Sequence, residues 1–447
     1  MMLSITRCAR PLAHIALLMT LLSISAFVGI ATLRTAIATP AAASGSTVGW
    51  TEQKVSASDG ATDDDFGYAV SVSGTTAVVG VPYAAFGSNA GQGVAYAYTQ
   101  ADGIWTEQQE LSADDGVADD GFGFSVSVSG DTLLIGAPYA TVGGNAGEGA
   151  AYVFTRSNGV WTQVGKLSPD DGDASFNFGW SVALSGLTAL VSAPVAPVGD
   201  NALQGKAYVF DATTGDWTQT QTLVADDGSA FATFGSSVAL DGTTAVVGAA
   251  GVNSYLGAAY VFDGSGASWA QTAELVPDDG VMTEFFGLAV AVSGSTALVG
   301  AYNQRVGSNN SQGSAYVYAA SAGVWSQQQK LTASDGAASA RFGLSVALDG
   351  ATALIGSYFA AVDGHAQQGA AYVFTQAGDS WSEVDKLVAS DGVAHDHFGN
   401  AVALSGPAAL VGAFDVTIDG HASQGAAYFF TQAIDDTIFA NGFDGAP

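Results

Sequence analysis

The chain has 447 residues, of which 48% are hydrophobic and 10% aromatic, and its formal net charge at pH 7 is −30. The hydrophobic content is that of a globular protein and excludes a disordered chain. The acidity excludes nucleic acid and anionic membrane surfaces as partners, because both need a positively charged footprint.

The first 43 residues are predicted to be a cleaved signal peptide. Two arginines precede an apolar run at 12–33, and small residues of the A-x-A type follow at 36–38 and 41–43. This order is typical of a secretory leader, and cleavage after Ala43 is favoured over cleavage after Ala38. The apolar run is also long enough to span a bilayer, so an uncleaved anchor is the alternative.

After a short linker at 44–49, seven repeats are predicted between residues 50 and 431. A tryptophan, an Asp-Gly pair, a Phe-Gly pair and a tyrosine recur in the same order, and successive Phe-Gly pairs are 56 residues apart except for one step of 52 near Gly251. The phenylalanines of these pairs are Phe66, Phe122, Phe178, Phe234, Phe286, Phe342 and Phe398. Four markers with one period predict a repeat architecture.

Each repeat is predicted to form four antiparallel strands. In the second repeat, apolar residues alternate with serines over 124–129, which is the period of a half-buried strand. Ser129-Gly130 then predicts a two-residue turn, in which glycine supplies the positive φ. Two apolar strands follow at 133–137 and 150–154. The mixed polarity of 161–167 favours an exposed edge strand.

Seven such units predict an all-β fold, a seven-bladed β-propeller of four-stranded antiparallel blades. The strand that begins at Trp50 corresponds to the fourth strand of a repeat, whereas the last repeat ends after its third strand at Phe430. We therefore expect the N-terminal strand to complete the last blade and close the ring. The tail at 432–447 lies outside the repeats and is interpreted as a possible sorting signal.

The segments FGFSVSVSG with LLIGAP, FGWSVALSG with LVSAP, and FGLAVAVSG with ALVGA resemble FG-GAP repeats. These repeats form the propeller of the integrin α-subunit and occur in many exported bacterial proteins. The resemblance covers about 50–430 and implies a seven-bladed propeller with an extracellular binding function, secreted by a bacterium or held at its surface. It also implies calcium in some blades.

The family's calcium loop, a D-x-D-x-D-G-like run between the first and second strands, is absent from this sequence. That connection is only Ser-Gly or Asp-Gly plus one or two residues in all seven repeats. A hard cation needs several oxygen ligands from one short loop. Calcium therefore stays possible only elsewhere in the chain, and no cofactor is predicted.

One face of the propeller is expected to be acidic, because the Asp-Gly loops and the long links such as 139–149 are predicted to fall on it. The acidic residues of the Asp-Gly loops are Asp59, Asp63, Asp64, Asp65, Asp114, Asp115, Asp119, Asp120, Asp170, Asp171, Asp173, Asp226, Asp227, Asp278, Asp279, Glu284, Asp335, Asp391 and Asp396. Turn geometry is the first interpretation of the aspartate in each pair. The additional carboxylates, such as Asp64 and Asp120, are weak candidates for cation binding.

A second weak metal candidate is His395-Asp396-His397, which lies in the same loop as Asp391. Alternating imidazoles could ligate a divalent metal. The alternative is a solvated loop, because none of the other six repeats has an equivalent.

The expected function is that of an exported, non-enzymatic binding or adhesion scaffold, a monomer that presents the acidic face to an extracellular protein or glycan. A lectin would repeat an aromatic residue in its loops; Tyr83 and Tyr139 fit this pattern, whereas Val195 and Gly251 do not. The alternative is a secreted polysaccharide- or ester-cleaving enzyme with a site over the propeller axis. No G-x-S-x-G or H-E-x-x-H motif is present, and no catalytic residue is predicted.

Overall fold

Alternating Val/Ser segments and short apolar runs form 28 β-strands in residues 49–432, the part of the chain that this computed structural model describes. The strands are β1 (Trp50–Val55), β2 (Ala69–Ser73), β3 (Thr76–Val81), β4 (Val94–Ala101), β5 (Ile104–Leu111), β6 (Ser125–Ser129), β7 (Thr132–Ala137), β8 (Ala150–Ser157), β9 (Val160–Leu167), β10 (Val182–Ser185), β11 (Thr188–Ala193), β12 (Lys206–Asp211), β13 (Thr218–Leu223), β14 (Phe234–Asp241), β15 (Thr244–Ala249), β16 (Ala258–Ser265), β17 (Ser268–Leu275), β18 (Val290–Ser293), β19 (Thr296–Ala301), β20 (Ser314–Ser321), β21 (Val324–Leu331), β22 (Val346–Asp349), β23 (Thr352–Ser357), β24 (Ala370–Ala377), β25 (Ser380–Leu387), β26 (Val402–Ser405), β27 (Ala408–Ala413) and β28 (Ala426–Gln432). The predicted signal peptide, the linker up to residue 48 and the tail from residue 433 lie outside the described residues.

The strands form seven four-stranded antiparallel sheets, which we number as blades 1 to 7. Blades 1 to 6 each use four consecutive strands, from β2–β5 to β22–β25. Blade 7 has the order β26-β27-β28-β1, with Trp50 opposite Gln432 and Val55 opposite Ala427. The innermost strands contact one another all the way round, and the contact of β2 with β26 completes the ring. The prediction of a seven-bladed propeller closed by its N-terminal strand is confirmed.

The burial of the strands follows the predicted pattern. In blade 2, β6 alternates between half-buried serines and buried valines, while β7 and β8 are buried along almost their whole length. The turn between β6 and β7 places Gly130 at φ 59°, as the two-residue hairpin requires. The edge strand β9 alternates between exposed and less exposed residues.

The hydrophobic core lies between blades. Each phenylalanine of a Phe-Gly pair is fully buried and contacts the tyrosine on the third strand of its blade, with ring centroids 5.4 Å apart for Phe398 and Tyr428. Between blades 1 and 2, Trp161 packs in one cluster with Ala95 and Ala97 of the neighbouring blade. Burying such rings stabilises the stack by roughly 2–3 kcal/mol each.

A closed belt of hydrogen bonds joins the seven β-turns between first and second strands. In each turn the glycine N–H donates to a serine or aspartate side chain of the preceding blade. That acceptor stands directly before the turn glycine of its own blade, as Ser73 does in the bond from Gly130 N to Ser73 Oγ at 3.4 Å. The remaining bonds are Gly74 to Ser405, Gly186 to Ser129, Gly242 to Ser185, Gly294 to Asp241, Gly350 to Ser293 and Gly406 to Asp349. The bond from Gly74 to Ser405 crosses the closure point.

The shorter repeat departs from the others in its link between second and third strands. There, four residues form a short helical segment, α1 (Val252–Tyr255), in which Asn253, Ser254 and Tyr255 have φ values of 49°, 59° and 65°. Left-handed backbone is costly for such residues. Within residues 49–432 no helix has the length and apolar character needed to cross a membrane.

Candidate binding surface at the loop face

The Asp-Gly loops and the long links pack against each other and form one surface, which we call the loop face. The loop that enters blade 2 donates from Asp119 N to Ala90 O at 2.9 Å and from Phe122 N to Gln92 O at 2.8 Å, both in the long link of blade 1. Glycine permits this approach: Gly149 has φ +88°, and a Cβ there would lie 2.1 Å from the carbonyl oxygen of Phe178. The loops are therefore anchored to the preceding blade.

Each Asp-Gly aspartate accepts a hydrogen bond from the buried tyrosine on the third strand of its blade, which follows 37 residues later in six blades and 33 residues later in blade 4. In blade 2, Tyr152 donates to Asp115 Oδ1 at 2.9 Å, and Lys166 Nζ lies 2.6 Å from Asp115 Oδ2 and 5.3 Å from the Tyr152 ring centroid. Burial opposes ionisation, but the hydrogen bonds from Lys166 and Tyr152 leave the pKa of Asp115 below its usual value. The same tyrosine–aspartate bond occurs in the other six blades, from Tyr96, Tyr208, Tyr260, Tyr316, Tyr372 and Tyr428.

Blades 1 and 4 carry a glutamate where blades 2, 5, 6 and 7 carry the lysine. Glu110 lies opposite Tyr96, and Glu274 lies opposite Tyr260, in the register that Lys166 occupies in blade 2. Burial, Asp59 and Glu107 raise the pKa of Glu110. Burial and the nearby Asp227 raise the pKa of Glu274. Asp59 and Asp227 therefore each have a glutamate nearby, whereas the Asp-Gly aspartates of the other five blades each have a lysine partner.

The metal candidates Asp64, Asp120 and Asp396 each hold their own loop. The Oδ2 atom of Asp64 accepts from the N–H of Ala61 at 2.6 Å, and Asp120 and Asp396 make the equivalent bonds to Val117 and Val393. Burial raises the pKa of all three carboxyls, although the backbone N–H bond opposes that rise. Each of these carboxylates therefore closes a turn of its own loop by accepting from the backbone N–H three residues earlier.

The two histidines of His395-Asp396-His397 both have positive φ, and their rings lie 6.4 Å apart. His395 Nδ1 and His397 Nε2 lie 3.0 Å and 3.3 Å from Gln367 Oε1, and His397 Nδ1 lies 2.6 Å from Asp415 Oδ2. The remaining candidate, Asp391, bonds Tyr428 and Lys54 instead. Within residues 49–432 no three His, Cys, Asp or Glu side chains are grouped so that they could hold a metal ion.

Aromatic side chains from all seven blades form two chains of ring contacts on the loop face, which we together call the aromatic arc. Its members are Trp180, Phe124, Tyr139, Tyr68, Tyr83, Phe414, His397, Tyr358, Phe359, Tyr302, Phe285 and Tyr255. Ring centroids are 4.7 Å apart between Trp180 and Phe124, and 5.1 Å apart between Phe124 and Tyr68. Most of these rings are half-buried, so part of each faces solvent.

Arg341 bridges the arc between blades 5 and 6. Its guanidinium carbon lies 4.5 Å from the ring centroid of Phe359 and 5.6 Å from that of Tyr302, and its Nη1 donates to the Tyr358 hydroxyl at 2.9 Å. The sequence pattern pointed only to Tyr83 and Tyr139, which share one position of the long link. The rest of the arc was not predicted, because each of its repeat positions is aromatic in only some of the blades, either in the long link or beside the Phe-Gly pair.

Comparison with known proteins identifies one family. The profile of the FG-GAP repeat matches seven segments: 50–98, 105–154, 161–210, 217–262, 269–318, 325–374 and 381–430. No curated protein matches the chain. One similar solved structure, titled "Crystal Structure of Mitotic Checkpoint Complex", is 11% identical, with 91% of this chain and 100% of that chain covered at a TM-score of 0.49. Similarity at that level carries no functional information.

Proposed function

Because the chain belongs to the FG-GAP repeat family, whose repeats occur in extracellular proteins, we propose that it is an exported, non-enzymatic scaffold that binds an extracellular protein or glycan through its loop face. The observation that carries the proposal is the aromatic arc. Aromatic side chains supply most of the contact energy in many binding sites, because they bury large areas at small cost in conformational entropy. Here they come from every blade and stay partly accessible.

The rigidity of the surrounding loops supports a binding role. The Asp-Gly loops are fixed by backbone bonds to the preceding blade, by tyrosine–aspartate bonds and by carboxylates such as Asp120 that close each turn. A surface that is already ordered loses little entropy when it binds a partner. The opposite face offers mainly two-residue turns, whose glycine N–H groups are used in the belt between blades.

The charge of the Asp-Gly loops favours neutral or basic partners over polyanions. In this proposal the acidic residues of these loops produce a negative field at the loop face, which attracts basic partners and repels polyanions. We expect a monomer that needs no calcium, since the short turns lack the oxygen-rich loop of calcium-binding FG-GAP blades. Capture of the partner should therefore be the same with and without EDTA.

The test is capture of cell-surface proteins and glycans by the purified mature chain, compared with two single variants. Trp180→Ala removes the end of the arc on the loop face and should abolish or strongly weaken capture. Val324→Ser changes a side chain that is 69% exposed, at the start of β21, and should leave capture intact. Equal capture by both variants, or cleavage of a polysaccharide or ester by the purified protein, would contradict the proposal.

Export is tested separately. In the producing cell, the protein is expected in the medium or in the surface fraction, with a mature N-terminus after Ala43 or Ala38. Recovery of the intact chain from the cytoplasm would contradict this part of the proposal.

A further inference from the structure

The arginines of the loop segments are confined to one sector. Among all the Asp-Gly loops and long links between residues 49 and 432, Arg305 and Arg341 are the only lysine or arginine residues. Arg305 lies in the long link of blade 5, and Arg341 lies in the loop that leads from blade 5 to blade 6. These two segments contact each other, with Ser339 N donating to Asn310 O at 2.8 Å and Arg341 N donating to Ser311 O at 3.1 Å.

Arg305 and Arg341 also differ from every other lysine and arginine in residues 49–432 by their lack of a carboxylate partner there. The other six each pair with an aspartate at 2.6 Å: Lys54 with Asp391, Arg156 with Asp131, Lys166 with Asp115, Lys206 with Asp171, Lys330 with Asp279 and Lys386 with Asp335. In a chain with 41 acidic residues against 11 lysines and arginines, two arginines without such a partner in one sector are a specific feature of this surface.

The two segments that carry these arginines contain a single acidic residue. The long link at 302–313 contains none, and the loop at 332–345 contains only Asp335, which bonds Lys386 and Tyr372. Glu284 of the neighbouring loop, whose carbonyl oxygen accepts from Asn303 N at 3.4 Å, is buried. The first Asp-Gly loop, by contrast, has four aspartates between 59 and 65. Since charges further apart than about 8 Å are largely screened at physiological salt, the two arginines without a carboxylate partner are the charges of this sector that can attract an anion.

Arg341 is held in place by the aromatic arc. Its guanidinium lies over Phe359 and Tyr302, and one of its five N–H groups is used by the Tyr358 hydroxyl. A role in packing blade 5 against blade 6 would need only this stacking. The guanidinium keeps further donors, in the planar arrangement that matches the two oxygens of a carboxylate.

We propose that Arg341 is an anion-binding residue of the loop face, and that it receives the carboxylate of a terminal acidic sugar whose ring packs on the adjacent part of the arc around Phe359. This inference rests on the proposed binding function and names its ligand class. An acidic protein segment would bring several carboxylates against the neighbouring aspartate-rich loops and be repelled. A single terminal uronic acid brings one charge, and its ring offers an apolar face to the aromatic side chains.

The test uses the full mature chain and two probes, oligosaccharides that end in glucuronic or galacturonic acid and the methyl esters of the same sugars. Titration calorimetry should give binding of the acids that is about 10- to 100-fold tighter than binding of the esters, the range expected for a hydrogen bond to a charged group. Arg341→Gln should remove the preference for the acid, and Arg341→Lys should keep part of it. The preference should weaken as NaCl is raised.

Arg156→Gln is the matched control. Arg156 also lies over an aromatic ring, with its guanidinium carbon 5.0 Å from the Trp161 centroid, but it pairs with Asp131 and belongs to strand β8. Its replacement should leave both affinities unchanged. The wild-type comparison of acid with ester decides the question even where a variant unfolds.

The possible failures are distinguishable. Equal binding of acid and ester, or an unchanged preference in Arg341→Gln, overturns the role of Arg341. Binding of neither probe, together with capture of another glycan or of a protein, also overturns it and leaves the proposed function standing. Capture of nothing at all overturns both.

Discussion

Replacing Glu110 by lysine is expected to stabilise the propeller. In blades 2, 5, 6 and 7 the equivalent register position holds a lysine whose Nζ lies 2.6 Å from the Asp-Gly aspartate and 5.3–5.5 Å from the tyrosine ring. In blade 1 that position holds Glu110, whose charge adds to those of Asp59 and Glu107. The substitution exchanges a repulsion for an ion pair.

The expected gain is about 1–2 kcal/mol. A partly exposed ion pair contributes about 0.2–1 kcal/mol, a cation over an exposed aromatic ring about 0.5–1 kcal/mol, and relief of the like-charge contact a few tenths of a kcal/mol. With an unfolding entropy of about 2.1 cal/mol/K per residue, residues 49–432 give about 0.8 kcal/mol/K. The melting temperature should therefore rise by about 1–2 °C for Glu110→Lys and by roughly twice that when Glu274→Lys is added.

The assay is thermal unfolding followed by circular dichroism, at low and at high salt and from pH 4 to pH 7. Because burial and neighbouring carboxylates raise the pKa of Glu110 in the folded state, the wild type loses relative stability as pH rises through that pKa. The advantage of Glu110→Lys should therefore grow towards pH 7 and shrink in 1 M NaCl. Lys166→Glu, the reverse change in blade 2, should lower the melting temperature by a similar amount.

A melting temperature that stays the same or falls in Glu110→Lys at low salt would refute the reasoning. So would a gain that survives 1 M NaCl or is larger at pH 4 than at pH 7, because an electrostatic gain is screened by salt and grows as Glu110 ionises.

Three further predictions concern the blade interfaces and the loops. Phe234→Ala should reduce the free energy of unfolding by about 3–5 kcal/mol, because the ring of Phe234 is fully buried. Phe231→Ala removes a ring that is 54% exposed and should change that free energy by less than about 1 kcal/mol. Denaturant unfolding compares the two variants. Gln109→Ala should cost about 1–3 kcal/mol in the same assay, because the Gln109 amide makes two bonds to the Trp161 backbone, at 2.9 and 3.0 Å; an unchanged midpoint would exclude this link between blades 1 and 2. Hydrogen bonds from Lys166 and Tyr152 lower the pKa of Asp115 in the folded state. The stability that this aspartate contributes is therefore present above its unfolded pKa, near 3.9, and is lost as pH falls through the folded value. Asp115→Asn should reduce this loss of stability at acid pH, and a pH profile of stability identical to that of the wild type would contradict the prediction.

The fold could be predicted from the sequence because each of its determinants is local or periodic. The alternation of residues in 124–129 predicts a strand, and Gly130 predicts the turn that follows it. The repeat period shows that the strand at Trp50 is displaced and belongs to the last blade. The belt of turn hydrogen bonds was missed, since Ser405 beside a glycine is explained by the turn itself and nothing local shows that it reaches Gly74 of another blade. The ion pairs could have been predicted, because in three repeats a lysine follows the Asp-Gly aspartate by 51 residues, as Lys166 follows Asp115.

The site was harder to predict for a physical reason. A propeller brings together residues from seven repeats at its axis, so neighbours such as Tyr68 and Phe414 are far apart in sequence. No single repeat position supplies an aromatic residue in all seven blades, because Tyr68, Phe124 and Trp180 share one position and Tyr302, Tyr358 and Phe414 share another. The carboxylates and histidines suggested metal binding by type and spacing, but Asp120 and Asp396 have backbone N–H partners that only the loop conformation reveals.

The claim that the loop face is the binding surface is tested most directly by hydrogen exchange of the mature chain with and without the partner it captures. Binding at the loop face predicts slower exchange in peptides from the Asp-Gly loops and long links, strongest around the aromatic arc, with unchanged exchange in the two-residue turns such as the one at Gly130. Protection confined to those turns or to the edge strands would contradict the assignment.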